Sequence, residues 1–203
     1  MKTLIAIPAM EQMQTLTVQC LANLRQIGTT RTDFMVRMPV DMARNKLAKR
    51  ACEEGFDHIL WIDSDMYFEP DLMERLAEDL DQYDVVTGLY FKRKFPAEPV
   101  LYKSIDMEKM QAETYWDYPH DALFPVAACG FGGVLMKTEA LANTDDPPFE
   151  MFPGYSEDLS YCIRAAEKGW KIGCDSRVKL GHIGTVIFGE KMYKHPKGGE
   201  PMK

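Results

Sequence analysis

Through the first half of the chain, short apolar runs alternate with segments whose apolar residues recur every three or four positions. The run KTLIAIP, residues 2–8, reads as a buried strand stopped by Pro8. Met13, Leu16, Cys20, Leu21, Leu24 and Ile27 then share a helical face, and Gly28 ends the run. A second helix fits residues 41–54, with Asp41 as N-cap and Gly55 just past its end. HILWI, 58–62, is a second buried strand. Pro70 opens a third helix carrying Leu72, Met73, Leu76 and Leu80 on one face, and DVVTGLYF is a third strand.

This alternation predicts an α/β fold with a mostly parallel, doubly wound central sheet flanked by helices. The second half is less regular. EPVLYK and GGVLMK read as strands, and residues 106–126 form an aromatic-rich excursion. A helix over 156–168 and a strand around WKIGCD follow. With no internal repeat or linker, the expectation is a single domain over 1–188, followed by a flexible tail or lid over 189–203.

Composition narrows the class. At 46% hydrophobic and 27% charged, the 203 residues suit one globular core. A net charge of −7 argues against a nucleic-acid partner, which needs a basic surface. No apolar run reaches transmembrane length, and the N-terminal stretch reads as a strand rather than a signal peptide. The five cysteines form no CxxC pair, so mostly buried free thiols in a reducing, cytoplasmic setting are expected. The basic stretch FKRKF, 91–95, reads as a solvated loop.

Candidate chemistry begins where HILWI ends in Asp63-Ser64-Asp65. With 16 aspartates in 203 residues, chance alone gives about one such spacing. DLD at Asp79–Asp81 has the same spacing at a helix end and reads as solvated. The pair at 63 and 65 differs in setting, because ligands of open α/β sheets bind beyond the carboxyl ends of strands. Alternate residues of an extended segment face one way, and two carboxylates at a core edge call for a neutralising cation.

Five stretches, in order, resemble the GT-A-fold (Rossmann-like) glycosyltransferases: IAIPA, MARNKLAKRA before HILWIDSD, CGFGGVLMKTEAL, GYSEDLSYCIRAAEKGWKI and DSRVKLGHIG. The likeness is to family 2-like enzymes and, toward the C-terminus, to polypeptide GalNAc-transferases. It implies transfer of a sugar from a UDP- or GDP-linked donor to a hydroxyl of a glycan, protein or small-molecule acceptor. In that frame Asp65 and His182 hold Mn²⁺ (or Mg²⁺), and Asp63 lies near the ribose or the metal shell. Ser64, Pro8, Ala9, Gly132 and Gly133 border the donor. Arg44 either reaches the base or diphosphate or faces solvent from its helix. Glu157 meets the acceptor, and Asp158, kept ionised by the helix dipole, is the base of an inverting reaction. Lys191, Lys194 or His195 are candidates to close over the diphosphate.

Two rival readings exist. Haloacid dehalogenase-type phosphatases also place a DxD after an apolar strand, although usually on the first one and with a partner lysine. A noncatalytic, metal-dependent sugar-binding module is the other.

Overall fold

The computed structural model describes residues 1–192. Its centre is a seven-stranded sheet built from β1 (Lys2–Ala9), β2 (Thr29–Val36), β3 (His58–Ile62), β5 (Val85–Leu89), β8 (Leu123–Pro125), β10 (Gly133–Lys137) and β11 (Ile172–Lys179). The spatial order is β2-β1-β3-β10-β5-β11-β8. Five strands run in one direction; β10, in the middle, and β8, at one edge, run against it. The expected mostly parallel α/β sheet is therefore present, with GGVLMK inserted antiparallel at its heart.

Helices cover both faces: α1 (Thr15–Asn23), α2 (Val40–Glu53), α3 (Leu72–Glu78), α4 (Thr138–Ala142) and α5 (Glu157–Glu167). Strand alternation sorts the core into two layers. Leu4, Ala6, Ile59 and Trp61 point toward α2, α4 and α5, whereas Ile5, Ile7, Leu60 and Ile62 point toward α1 and α3. Trp61 is fully buried between Phe131 and Phe149. Two small sheets complete the fold. In one, β4 (Met66–Tyr67), β12 (Gly181–Ile183) and β13 (Ile187–Phe188) pair; in the other, β6 (Leu101–Asp106) pairs with β7 (Gln111–Thr114) and β9 (Ala128–Cys129). The aromatic excursion is anchored, with Tyr118 buried and Tyr115 and Trp116 packed on the core.

Several local expectations are corrected. TTRTDFMV forms the edge strand β2, which carries no apolar run because much of it faces solvent. Asp41 lies in the first turn of α2, whose N-cap is Pro39. Asp79 is buried rather than solvated: the end of α3 packs on β11, where Arg177 reaches both Asp79 (3.5 Å) and Asp175 (2.8 Å). Burial, then the neighbouring Asp175, pushes the Asp79 carboxyl up to about 6. All five cysteines are free, and only Cys52 is exposed. No helix among the described residues is long and apolar enough to cross a membrane. Gly189 begins the segment expected as a tail; Glu190 there bonds Lys179 and Tyr118. The side chain of Lys191, and all of Lys194 and His195, lie outside the described residues.

Candidate active site

At the carboxyl ends of β1 and β3 a cavity of about 340 Å³ opens. Pro8, Ala9, Arg44, Asp63, Ser64, Asp65, Glu157, Asp158 and His182 all line it, together with Met10, Met38, Val40, Ala43 and Arg93. Residues spread over 175 positions of sequence thus share one wall because parallel strands deliver their ends to the same edge. The cavity has two characters. Pro8, Ala9 and Met10 at the end of β1, with Met38, Val40 and Ala43 at the start of α2, are apolar. The β3 end, the start of α5 and β12, with Arg44 of α2 and Arg93 of the loop after β5, supply the charged groups.

Arg44 holds the charged half together. It is 2% exposed, its Nη2 donates to Asp63 Oδ1 (2.9 Å) and its Nε donates to Glu157 Oε1 (3.1 Å). The guanidinium lies near the rings of Trp61 (5.3 Å) and Phe131 (5.5 Å). Its Nη1 is buried with no hydrogen-bond partner among the described residues. Arg44 is therefore not a surface residue: two of its three nitrogens tie the strand-end carboxylate to the first turn of α5. Glu157 is likewise occupied by this bond. Burial raises the Asp63 carboxyl above its ordinary value, with Arg44 opposing and Asp65 and Glu157 reinforcing the rise.

Asp65 and His182 are brought together by the small sheet. β12 pairs antiparallel with β4, His182 lies opposite Met66, and the Ile183 N–H donates to the Asp65 carbonyl (2.7 Å). His182 Nε2 then sits 3.4 Å from Asp65 Oδ2. On the other side of the ring, Nδ1 lies 3.1 Å from the Phe91 carbonyl. A carbonyl only accepts, so the Phe91 oxygen orients the ring through an Nδ1–H and leaves Nε2 as the nitrogen that faces Asp65. A carboxylate oxygen and an imidazole nitrogen converging on one point, with the ring oriented from behind, form the kind of donor pair that suits Mn²⁺. Among the described residues no three His, Cys, Asp or Glu side chains gather for a metal, so further oxygens would have to come from a bound ligand. Burial alone would raise the Asp65 carboxyl; His182 and Arg93 outweigh it and hold it below its ordinary value.

Asp158 sits at the N-terminus of α5, half-buried. Its Oδ1 accepts the Leu159 N–H (2.8 Å) and the Ser156 hydroxyl. Ser156 occupies the N-cap position but spends its hydroxyl on Asp158 rather than on the helix backbone. Burial, then Glu157, push the Asp158 carboxyl up to about 6. Burial and Glu157 together outweigh the lowering by Ser156, Arg44 and the Leu159 N–H.

Gly132 and Gly133 do not line the cavity. The Gly132 carbonyl accepts the Asp63 N–H (3.2 Å), and its own N–H donates to the buried Tyr90 hydroxyl (3.2 Å). A side chain at Gly132 would meet Met66 and Tyr90 at 3.0–3.1 Å, and one at Gly133 would meet Leu180 at 2.3 Å. They permit close approach behind the site. Arg93, in the stretch expected as a solvated loop, lies instead at the cavity with its Nη1 2.7 Å from Asp65 Oδ2. Nothing in its local sequence signals this, because the loop reaches the site only through tertiary packing.

This architecture recurs among solved structures. The chain is similar to A197 from STIV, with a TM-score of 0.69 and 20% identity over 91% of this chain and 86% of that one. It is also similar to GalNAc-T7, solved with UDP, GalNAc and Mn²⁺, with a TM-score of 0.58 and 11% identity over 91% of this chain. It spans 44% of the GalNAc-T7 chain. No family profile and no curated protein sequence matches it. The likeness is one of fold: the chain has a GT-A-like α/β architecture.

Proposed function

We propose that this chain is a metal-dependent glycosyltransferase that moves a sugar from a nucleoside-diphosphate donor to an acceptor hydroxyl with inversion, Asp158 acting as base. The observation that carries the reading is the single cavity in which Asp65, His182, Asp63 and Asp158 meet at the carboxyl edge of the sheet. The GalNAc-T7 structure, which holds UDP and Mn²⁺ on the same fold, supports the choice of nucleotide and metal.

In this reading Asp65 and His182 hold Mn²⁺ or Mg²⁺, which supplies positive charge where the departing diphosphate gathers negative charge. The apolar half, Pro8 to Met10 with Met38 and Val40, takes the flat face of the nucleobase. Arg44 keeps Asp63 at the strand end and holds the first turn of α5 beside it. Asp158, poised near 6, is ionised at neutral pH yet basic enough to accept the acceptor hydroxyl's proton as attack proceeds. A dehalogenase-type phosphatase would need a lysine beside its nucleophile, and among the described residues no lysine lines this cavity.

Thermal melts with UDP and GDP, with and without Mn²⁺, test the binding half of the proposal. At a hundredfold excess over Kd, linkage and the size of the chain give a rise of about 6 °C that requires the metal. Release of free sugar from a panel of nucleotide-sugars tests the chemistry. Nucleotides leaving the melt unmoved, or phosphate released from a simple phosphomonoester, would count against it.

A further inference from the structure

The loop between β5 and β6 does two things at the cavity. Its base is closed by the Phe91–Pro99 bridge and by the Lys92 N–H donating to the Glu98 carbonyl (2.8 Å). Lys92 and Lys94 both turn inward to Glu98, so their charges are spent within the loop. Phe91 offers its carbonyl to His182, and Arg93 alone of the three basic side chains reaches across to Asp65. One short segment therefore touches both members of the donor pair, the imidazole from behind and the carboxylate from in front.

The oxygen that Arg93 holds, Asp65 Oδ2, is the one that faces His182 Nε2. A cation bound by this pair competes with the guanidinium for that oxygen. The Arg93 side chain is 50% exposed, so its ion pair is weak and readily exchanged. Four carboxylates line the cavity, Asp63, Asp65, Glu157 and Asp158, against two arginines. Arg44 is buried and bonded to Asp63 and Glu157, so the half-exposed Arg93 is the arginine able to turn toward an incoming diphosphate. A planar guanidinium is suited to gripping phosphate oxygens two at a time.

We propose that Arg93 is an exchangeable counter-charge: it neutralises Asp65 before a divalent cation arrives, yields the carboxylate to that cation, and then binds the diphosphate. This rests on the glycosyltransferase reading of the same cavity. Arg93 is a binding residue in this scheme and takes no part in bond making.

The test measures Mn²⁺ alone, by the loss of its free electron paramagnetic signal, and UDP and GDP in saturating Mn²⁺, by calorimetry. Both are run on the wild-type chain and on Arg93→Ala, Arg93→Gln and Arg93→Lys. Removing a half-exposed competitor should tighten Mn²⁺ binding by about two- to fivefold in the alanine and glutamine variants. The same variants should lose about tenfold or more in nucleotide affinity, the worth of a charge-assisted hydrogen bond. Lysine, a point charge without the planar fork, should restore the competition with Mn²⁺ but only part of the nucleotide affinity. A merely structural loop residue would weaken both ligands together, and that outcome, or no change in either, overturns the proposal. A wild-type chain that binds neither Mn²⁺ nor nucleotide overturns the glycosyltransferase reading as well, whereas wild-type binding with unaltered variants overturns only the role of Arg93.

Discussion

Replacing Arg44 with methionine removes the charge while keeping most of the side chain's length and volume. In the wild-type chain the guanidinium is 2% exposed, and its two partners, Glu157 and Asp63, are 10% and 30% exposed. Breaking a buried pair by deleting one member costs about 3–5 kcal/mol, because the partner charge stays buried without compensation. Asp63 keeps some water, so the lower end of that range, about 3 kcal/mol, is expected. For 203 residues the unfolding entropy near the midpoint is about 0.43 kcal/mol/K, which converts the loss to a fall of about 7 °C in Tm. Urea titration and thermal melts read it directly. The pH dependence supplies a second check. Arg44 opposes the upward shifts of both Asp63 and Asp158, so without it both carboxyls rise further. Their charged forms then carry the added penalty, so the loss is largest at pH 7–8 and shrinks as pH falls through the raised values. Adding Glu157→Gln to Arg44→Met neutralises the more deeply buried orphan and should recover at least about 1 kcal/mol relative to additivity. A single variant within about 0.5 kcal/mol of wild type, or a strictly additive pair, would refute the electrostatic link between β3 and α5.

Asp158→Asn should abolish transfer while raising stability at pH 7 by about 1–3 kcal/mol, since a carboxyl lifted from 3.8 to about 6 is destabilising when ionised. That gain should vanish below about pH 4, where the unfolded chain also binds the proton; equal stabilities at pH 7 would show the carboxyl to be unstrained. Activity should fall about tenfold per unit below pH 6 as the base is protonated, and Glu157→Gln, which removes a charge that raises Asp158, should move this limb to lower pH. Asp65→Asn and His182→Ala should each weaken Mn²⁺ binding about 10- to 100-fold with little effect on Tm in metal-free buffer, which titration calorimetry and melts distinguish. Gly133→Ala places a methyl group 2.3 Å from Leu180 and should cost about 1–3 kcal/mol in urea unfolding without altering nucleotide selectivity.

Much of the frame was legible from local pattern. KTLIAIP, HILWI and DVVTGLYF announce themselves because strands buried on both faces must be apolar throughout, and α3 shows one apolar face in Leu72, Met73 and Leu76. β2 did not, because an edge strand with solvent on its flank tolerates Thr, Arg and Asp. The small sheet that places His182 is equally silent in the sequence: two- and three-residue strands carry too few positions for any period. Asp79 and Arg93 depart from the solvated expectation for one reason, that a charged residue's local neighbours do not reveal what packs over it.

What the sequence by itself determined is the alternation of strands and helices and the stock of chemistry at strand and helix ends, since both follow from periodicity and from the positions where apolar runs stop. Only the tertiary structure decided which charges meet. Arg44 joins Asp63 and Glu157 across 19 and 113 residues, and Arg93 and His182 meet at Asp65. Coulomb energies depend on distance and on exclusion of water, and neither is set until distant segments are packed against one another.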